Sequence, residues 1–293
     1  MVARFRRFVG VFLGAVLALI LIGSMVRSTG AGLGCPDWPR CFGLWIPPVS
    51  ASQLPVDYLQ QYDGIPFNPI KTWTEYLNRL SGVVVGLLAT GVMLWSLRFW
   101  KSRRRWTWLS VTAWVLVSLN GGIGAWVVSS RLVPFVISLH MILAMVLVGV
   151  VASLYWSLCE SDRPVLSLSS RRYWWGFVVV FLCQMGLGIE LRELMDMASH
   201  AGLARLDWLP SAGAMFWVHR SFSWAVLVAA GLLFWQTRTT AFRRYTGCIL
   251  SLVVLQMLTG VGLAYSGMLF AMQPLHLVLS ALTIVAVVGM RKN

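Results

Sequence analysis

Long apolar stretches without a charged residue recur along this chain, separated by shorter polar connections. Eight stand out, at roughly 8–27, 76–97, 107–129, 133–157, 173–191, 214–236, 246–266 and 270–290. Each is long enough to carry a helix across the ~30 Å hydrocarbon core of a bilayer, because an α-helix rises about 1.5 Å per residue. The predicted fold class is all-α integral membrane, with eight transmembrane helices. The first window also has the form of a signal anchor, but seven more follow it, so it is kept as a span.

The polar connections carry the topology. Of the 24 Lys and Arg residues, 16 fall in alternate connections: Arg4, Arg6 and Arg7; Arg98 to Arg105; Arg163, Arg171 and Arg172; Arg238, Arg243 and Arg244; Arg291 and Lys292. By the positive-inside rule both termini are expected on the cytoplasmic side. The long outer connections are then 28–75 and 192–213. A composition of 58% hydrophobic and 12% charged residues excludes an ordinary soluble domain. The same placement of charge reads the formal net charge of +14 as topology rather than as nucleic-acid binding.

The chain repeats itself. Residues 119–141 align without gaps on 255–277, with Leu119 on Leu255, Gly124 on Gly260, Leu139 on Leu275 and His140 on His276, an offset of 136 residues. Asn78-Arg79 and His219-Arg220 correspond at an offset of 141, the first half having the longer loop. The expected organisation is two tandem four-helix bundles, 1–160 and 161–293. Four crossings return the chain to its starting side, so the halves are expected to be related by a pseudo-twofold axis along the membrane normal.

Candidate chemistry sits on this repeat. His140, His219 and His276, three of the four histidines, lie six to eight residues into spans that enter from outside. That is about 9–12 Å below the outer boundary. Ionisable groups at that depth are costly and point to function. Two imidazoles on neighbouring helices, with small residues around them (GGIG and GVGLAYSG), suit axial ligation of a haem iron. The second half pairs His219 with His276 as a b-type haem site. The first half pairs Asn78 with His140, and an amide is a poor iron ligand, so that iron would keep an open position. Arg79 and Arg220 are candidates for haem propionates or for snorkelling to the headgroups. Glu75 lies one turn from Asn78, and Phe216 stands at its position in the other half. Its two readings are a role at the first-half haem and a helix-dipole charge. His200 reads as a solvated loop residue. Cys159, Cys183 and Cys248 read as small buried hydrophobes. Cys35 and Cys41, in GLGCPDWPRCFG on the outer side, read as a disulfide loop, with metal binding as the alternative that would need a second His or Cys pair nearby.

Taken in order, VRSTGAGLGCPDWPRCFG, EYLNR, SLHMILA, VHRSFSW and PLHLVLS resemble the heme A synthase family over nearly the whole chain. The departure is Asn78, where the family's Glu-x-x-His-Arg motif has histidine. The resemblance implies an oxidoreductase that converts a methyl group of haem O to the formyl group of haem A for cytochrome oxidase. It implies haem b on His219 and His276, haem O as substrate near His140, and a Cys35–Cys41 pair open to redox chemistry. It also implies a bacterial inner-membrane location, with a haem O synthase and an electron acceptor as partners. Self-association is left open. Two rivals remain: a dihaem electron carrier, such as a quinol or ferric reductase, and a haem transporter or chaperone.

Overall fold

The computed structural model describes residues 1–159, 165–266 and 271–290. Arg163, Arg291 and Lys292 of the charge pattern, the start of the eighth window at 270 and the expected boundary at 160–161 lie outside the described residues. Among the described residues the α-helices are α1 (Val2–Ser28), α2 (Tyr58–Gln61), α3 (Pro69–Ser96), α4 (Arg104–Ser129), α5 (Pro134–Ser157), α6 (Leu168–His200), α7 (Trp208–Ser211), α8 (Ala214–Thr237), α9 (Arg243–Tyr265) and α10 (Met272–Gly289). All but α2 and α7 are long and apolar enough to cross a bilayer, eight in total. The chain is an all-α integral membrane protein, as the hydropathy pattern predicts.

The helices fall into two compact units, Gly14–Leu147 and the combination of Met1–Leu13 with the chain from Val148 onward. In the first, α3 and α4 are packed neighbours. Thr107 Oγ1 donates to the Ser96 carbonyl at 2.8 Å and Trp114 Nε1 donates to Thr90 Oγ1 at 3.1 Å, tying the two helices together. In the second, α6 packs on α8, α8 on α9 and α9 on α10. Trp174, Phe177 and Phe181 recur on one face of α6 and meet Val226, Ala230 and Leu233 of α8 and Ile249 and Val253 of α9. This is the i, i+3, i+4, i+7 stripe of an interior helix face.

Two expected boundaries move. The fifth helix does not end at residue 191 but continues to His200. Its 33 residues span about 50 Å, well beyond the hydrocarbon core. Hydropathy falls at Glu190, yet Leu191, Met195 and Ala198 keep an apolar face that is buried, with Trp208 and Leu209 packed on the first two. His200 is therefore the exposed last residue of a helix rather than part of a loop. The second span begins at Pro69 rather than 76, with Asn68 as N-cap, its side chain accepting from Lys71 N at 3.1 Å. Proline at the first helical position fits a helix start, since its missing N–H would have had no partner there. Cys183 and Cys248 are exposed rather than buried. A span's outward face meets lipid, where an apolar thiol needs no cover.

Trp156 illustrates how tightly the second unit is packed. Its Nε1 donates to the Val285 carbonyl at 2.9 Å, and a Cβ added to Gly289 would stand 2.7 Å from its ring. Gly289→Ala is expected to cost about 1–3 kcal/mol by overpacking. The check is thermal unfolding in detergent, where melting at the wild-type temperature would contradict this contact.

Candidate functional site

Each of the three intramembrane histidines lies against a glycine of the preceding long helix. A Cβ built on Gly124 of α4 would stand 3.6 Å from His140 Cε1, one on Gly188 of α6 would stand 3.1 Å from His219 Cε1, and one on Gly260 of α9 would stand 3.6 Å from His276 Cε1. Asn78 of α3 repeats the arrangement, its Oδ1 lying 3.6 Å from a Cβ built on Gly23 of α1. A missing side chain lets one helix backbone approach the ring edge of the next. In the first unit the arrangement holds Asn78 and His140; in the second it holds His219 and His276.

In the second unit the two imidazoles lie within electrostatic reach of each other. The Thr259 hydroxyl donates to the Gln256 carbonyl at 2.9 Å and lies 2.9 Å from His276 Nδ1. With its one proton so used, the hydroxyl accepts from Nδ1–H, which leaves the Nε2 lone pair for a metal. That outer hydrogen bond is the usual device for orienting a metal-binding imidazole. Gln184 of α6 donates to the His219 carbonyl at 3.1 Å and lies 3.3 Å from His219 Nδ1. Its carbonyl oxygen is buried without a partner.

The first unit offers less. His140 faces the backbone of Asn120, with no well-formed hydrogen bond at Nδ1. Asn78 Oδ1 is likewise buried and unpartnered. Among the described residues, no three His, Cys, Asp or Glu side chains gather as a zinc or di-iron centre requires. The second unit fits a bis-imidazole haem: glycine against the edge of each ring, an oriented Nε2 on His276, and no rival cluster of three ligating side chains among the described residues.

Glu75 and Arg79 face the loop between α1 and α3. Cys35 and Cys41 form a disulfide with an S–S distance of 2.01 Å. Glu75 is almost fully buried, accepting from Cys35 N at 2.9 Å through Oε2 and from Arg79 Nη2 at 2.6 Å through Oε1. Arg79 Nη1 donates to the carbonyls of Asp37 at 2.7 Å and Arg40 at 2.9 Å, and Nη2 also donates to the Cys35 carbonyl at 2.7 Å. All four Nη hydrogens are thereby engaged, which leaves none for a propionate. Thr72 Oγ1 donates to the Gly34 carbonyl at 2.8 Å, and Tyr76 OH donates to that of Trp45 at 3.0 Å. Positions 72, 75, 76 and 79 thus form one face of α3 given over to the loop. Gly34 is required there, since a Cβ would press on the α3 backbone, 2.8 Å from Thr72 N. Asp37 closes the loop by accepting from Phe42 N at 2.6 Å and Gly43 N at 2.8 Å. Burial, reinforced by the Asp37 carboxylate, raises the pKa of Tyr62 beneath it. The dipole-cap reading of Glu75 fails, because Asn68 caps the helix two turns earlier. Arg220, equivalent to Arg79, is exposed and stacks over Trp217 with 5.3 Å to the ring centroid.

Residues 6–288 match the cytochrome oxidase assembly protein family. The chain belongs to that family. Relatives that carry the name heme A synthase include one from Bartonella quintana, 29% identical over 66% of this chain and 57% of its own length. One from Shewanella oneidensis is 29% identical over 47% of this chain and 41% of its own length. One from Rhizorhabdus wittichii is 23% identical over 92% and 88% respectively. The chain thus spans about half the length of the first two relatives and most of the third.

Sequence reasoning found the histidines, Glu75 and the cysteines but missed Gly23, Gly188, Gln184 and Thr259. A signal existed in the two short strings GSMVR and GIELR, which place a glycine four residues before an arginine in α1 and in α6.

Removing one member of a buried ion pair leaves the other uncompensated, at about 3–5 kcal/mol. Arg79→Ala and Glu75→Gln should therefore both loosen the 29–68 loop, Arg79→Ala more. Limited proteolysis and thiol labelling of Cys35 and Cys41 after reduction read the change. Wild-type protection in Arg79→Ala would show that the loop is held by something else.

Proposed function

We propose that this chain is an oxidoreductase that converts haem O to haem A, with one site for a resident haem b and one for the substrate. The observation that carries this reading is the unlike chemistry of two like sites. His219 and His276 would both hold the iron of haem b, whereas Asn78 and His140 offer one good ligand and one amide. A saturated haem suits electron transfer, and a site with an open position suits a reacting substrate that must enter and leave. Membership of the cytochrome oxidase assembly protein family and the names of the relatives support the same reading. A dihaem electron carrier would have no use for this asymmetry.

Haem b, when bound, would supply one-electron transfer at the second site. His219 and His276 would hold it, with Thr259 fixing the His276 tautomer and Gly188 and Gly260 setting how closely the rings approach their helices. At the first site His140 would hold the substrate iron from one side. Asn78 has both an acceptor and a donor to offer a water or oxygen species on the other side. Turning a methyl into a formyl group removes four electrons and adds one oxygen atom, so an electron acceptor is a necessary partner. Glu75 places a carboxylate one turn from Asn78, paired with the Arg79 guanidinium. Both of its oxygens accept hydrogen bonds, so the role supported is electrostatic stabilisation of a developing positive charge rather than proton abstraction. The distribution of Lys and Arg supports cytoplasmic termini with both sites towards the outer face, and the bacterial relatives support an inner-membrane location.

His219→Ala and His276→Ala are each expected to abolish the low-spin bis-imidazole signal in absorption and EPR spectra of the purified protein. Retention of that signal in both variants would sink the haem b assignment.

Asn78→His should close the open position and shift the bound substrate haem to a six-coordinate low-spin spectrum. Haem A formation, followed by chromatography, should fall at least tenfold, while His140→Ala should abolish it. A bis-histidine substrate haem in the unmodified protein would refute this account of Asn78.

A further inference from the structure

The connection between α1 and α3 contains a stretch that is built unlike a water-exposed loop. Between positions 38 and 49 its only charged residue is Arg40. Residues 43–46 form an exposed tip, set between buried Cys41 and Phe42 on one side and buried Pro47 and Pro48 on the other. Trp45 is 65% exposed and Ile46 70%, and Leu44 and Val49 are exposed as well. So many large apolar side chains uncovered on one short segment mark a contact surface.

The backbone of the same stretch is provisioned for a place with little water. Cys41 N donates to the Leu44 carbonyl at 2.9 Å, and Leu44 N donates to the Cys41 carbonyl at 3.1 Å. Phe42 N and Gly43 N donate to the Asp37 carboxylate, and Val49 N donates to Gln53 Oε1 at 2.6 Å. Positions 39, 47 and 48 are prolines, which have no N–H to satisfy. A loop in water needs none of this, whereas a segment in contact with lipid must satisfy its donors internally.

The attachment of the tip places it. Tyr76 OH donates to the Trp45 carbonyl at 3.0 Å, which fastens the tip to α3. On that helix Leu77, Leu80, Val84 and Leu87 are exposed at three- and four-residue spacing, the outward stripe of a membrane span. Leu80 lies about one turn from Tyr76, so the tip stands where that stripe begins. The Arg40 guanidinium lies over the Trp45 ring, 5.4 Å from its centroid. A tryptophan ring with a cation beside it suits the layer between hydrocarbon and water, where the ring is half-solvated and the charge reaches the headgroups.

We propose that the 44–46 tip is inserted into the interfacial layer of the bilayer, with Trp45 and Ile46 among the lipid chains and Arg40 at the phosphates. The occupant is phospholipid rather than a protein, because the tip continues a face of α3 that lipid already covers. Insertion holds the disulfide-bearing loop from the membrane side, in addition to the bonds that Glu75 and Arg79 make from the helix side. The inference rests on the membrane fold and is independent of the haem assignments.

The experiment places p-benzoylphenylalanine, a photo-crosslinking residue, at Trp45, at Ile46 or at exposed Gln60 of the same connection, one position per protein. The full chain is reconstituted in nanodiscs of equal parts phosphatidylethanolamine and phosphatidylglycerol, irradiated and analysed by mass spectrometry. Phospholipid adducts are expected at 45 and 46 at a yield at least fivefold above that at 60. Equal yields at the three positions overturn the proposal. So do adducts at 45 and 46 with a second copy of the chain or another protein, which assign the tip to a protein interface. Unmodified protein in the same discs supplies a reading free of any folding defect in the variants. Under hydroxyl radicals Trp45 should be oxidised at least fivefold more slowly than Met197, which is 55% exposed near the far end of α6. Oxidation of Trp45 as fast as Met197 overturns insertion.

Discussion

A polar side chain within a membrane-spanning helix has to find its partner inside the protein, since lipid offers none. That constraint organises the sites described above. Glu75 is tolerated near the N-terminal end of α3 because Arg79 and the Cys35 amide satisfy both its oxygens. Arg79 is in turn tolerated because four hydrogen bonds take up its Nη groups. The result is a loop fastened to a helix by charge-assisted hydrogen bonds, with the disulfide as one fastening among several. His276 is paired through Thr259, and Arg192 through Asp196 and Gln273. What stays unpartnered is equally informative: Asn78 Oδ1 and Gln184 Oε1 are buried acceptors without a donor.

Glycine supplies the second half of the design. An imidazole that must reach an iron between helices needs its own ring edge fixed, and a neighbouring helix can approach it closely only where it carries no side chain. Gly124, Gly188 and Gly260 provide this for the three histidines, and Gly23 provides it for Asn78. The amide therefore occupies a place built to the same plan as the imidazole of the second unit. Under the proposed two-haem reading, the one substituted donor separates a site that carries electrons from one that reacts.

Much of this was legible in the sequence. Eight uncharged apolar windows suffice for eight helices, because only helices satisfy their own backbone across a bilayer when no barrel pattern is present. The offset of 136 residues between His140 and His276 needs no structure to be seen, and neither does the exchange of His219 for Asn78. The closely spaced Cys35 and Cys41 pair as their loop suggests. Helix ends were less legible. The fifth window stops at Glu190 by hydropathy, yet α6 runs on to His200 because Leu191 and Met195 bury one face under Trp208 and Leu209. A contact made by residues a dozen or more positions later leaves no mark in a local average.

Only the tertiary structure decided how the charged residues are used. Arg79 and Arg220 are equivalent in the repeat, yet one clamps the 34–45 loop and the other lies exposed over Trp217. The longer connection of the first half makes the difference, since it brings three loop carbonyls within reach of Arg79 and the second half has no such loop. Glu75 reads equally well as a helix-dipole charge until Asn68 is seen to cap the helix two turns earlier. The glycine seats are present as letters but carry meaning only once helices are packed. Periodic hydrophobicity reports burial along one helix, and so the chain alone determined the helices, the duplication and the odd amide. Which side chain meets which depends on distances between helices, and those arise only when the helices pack.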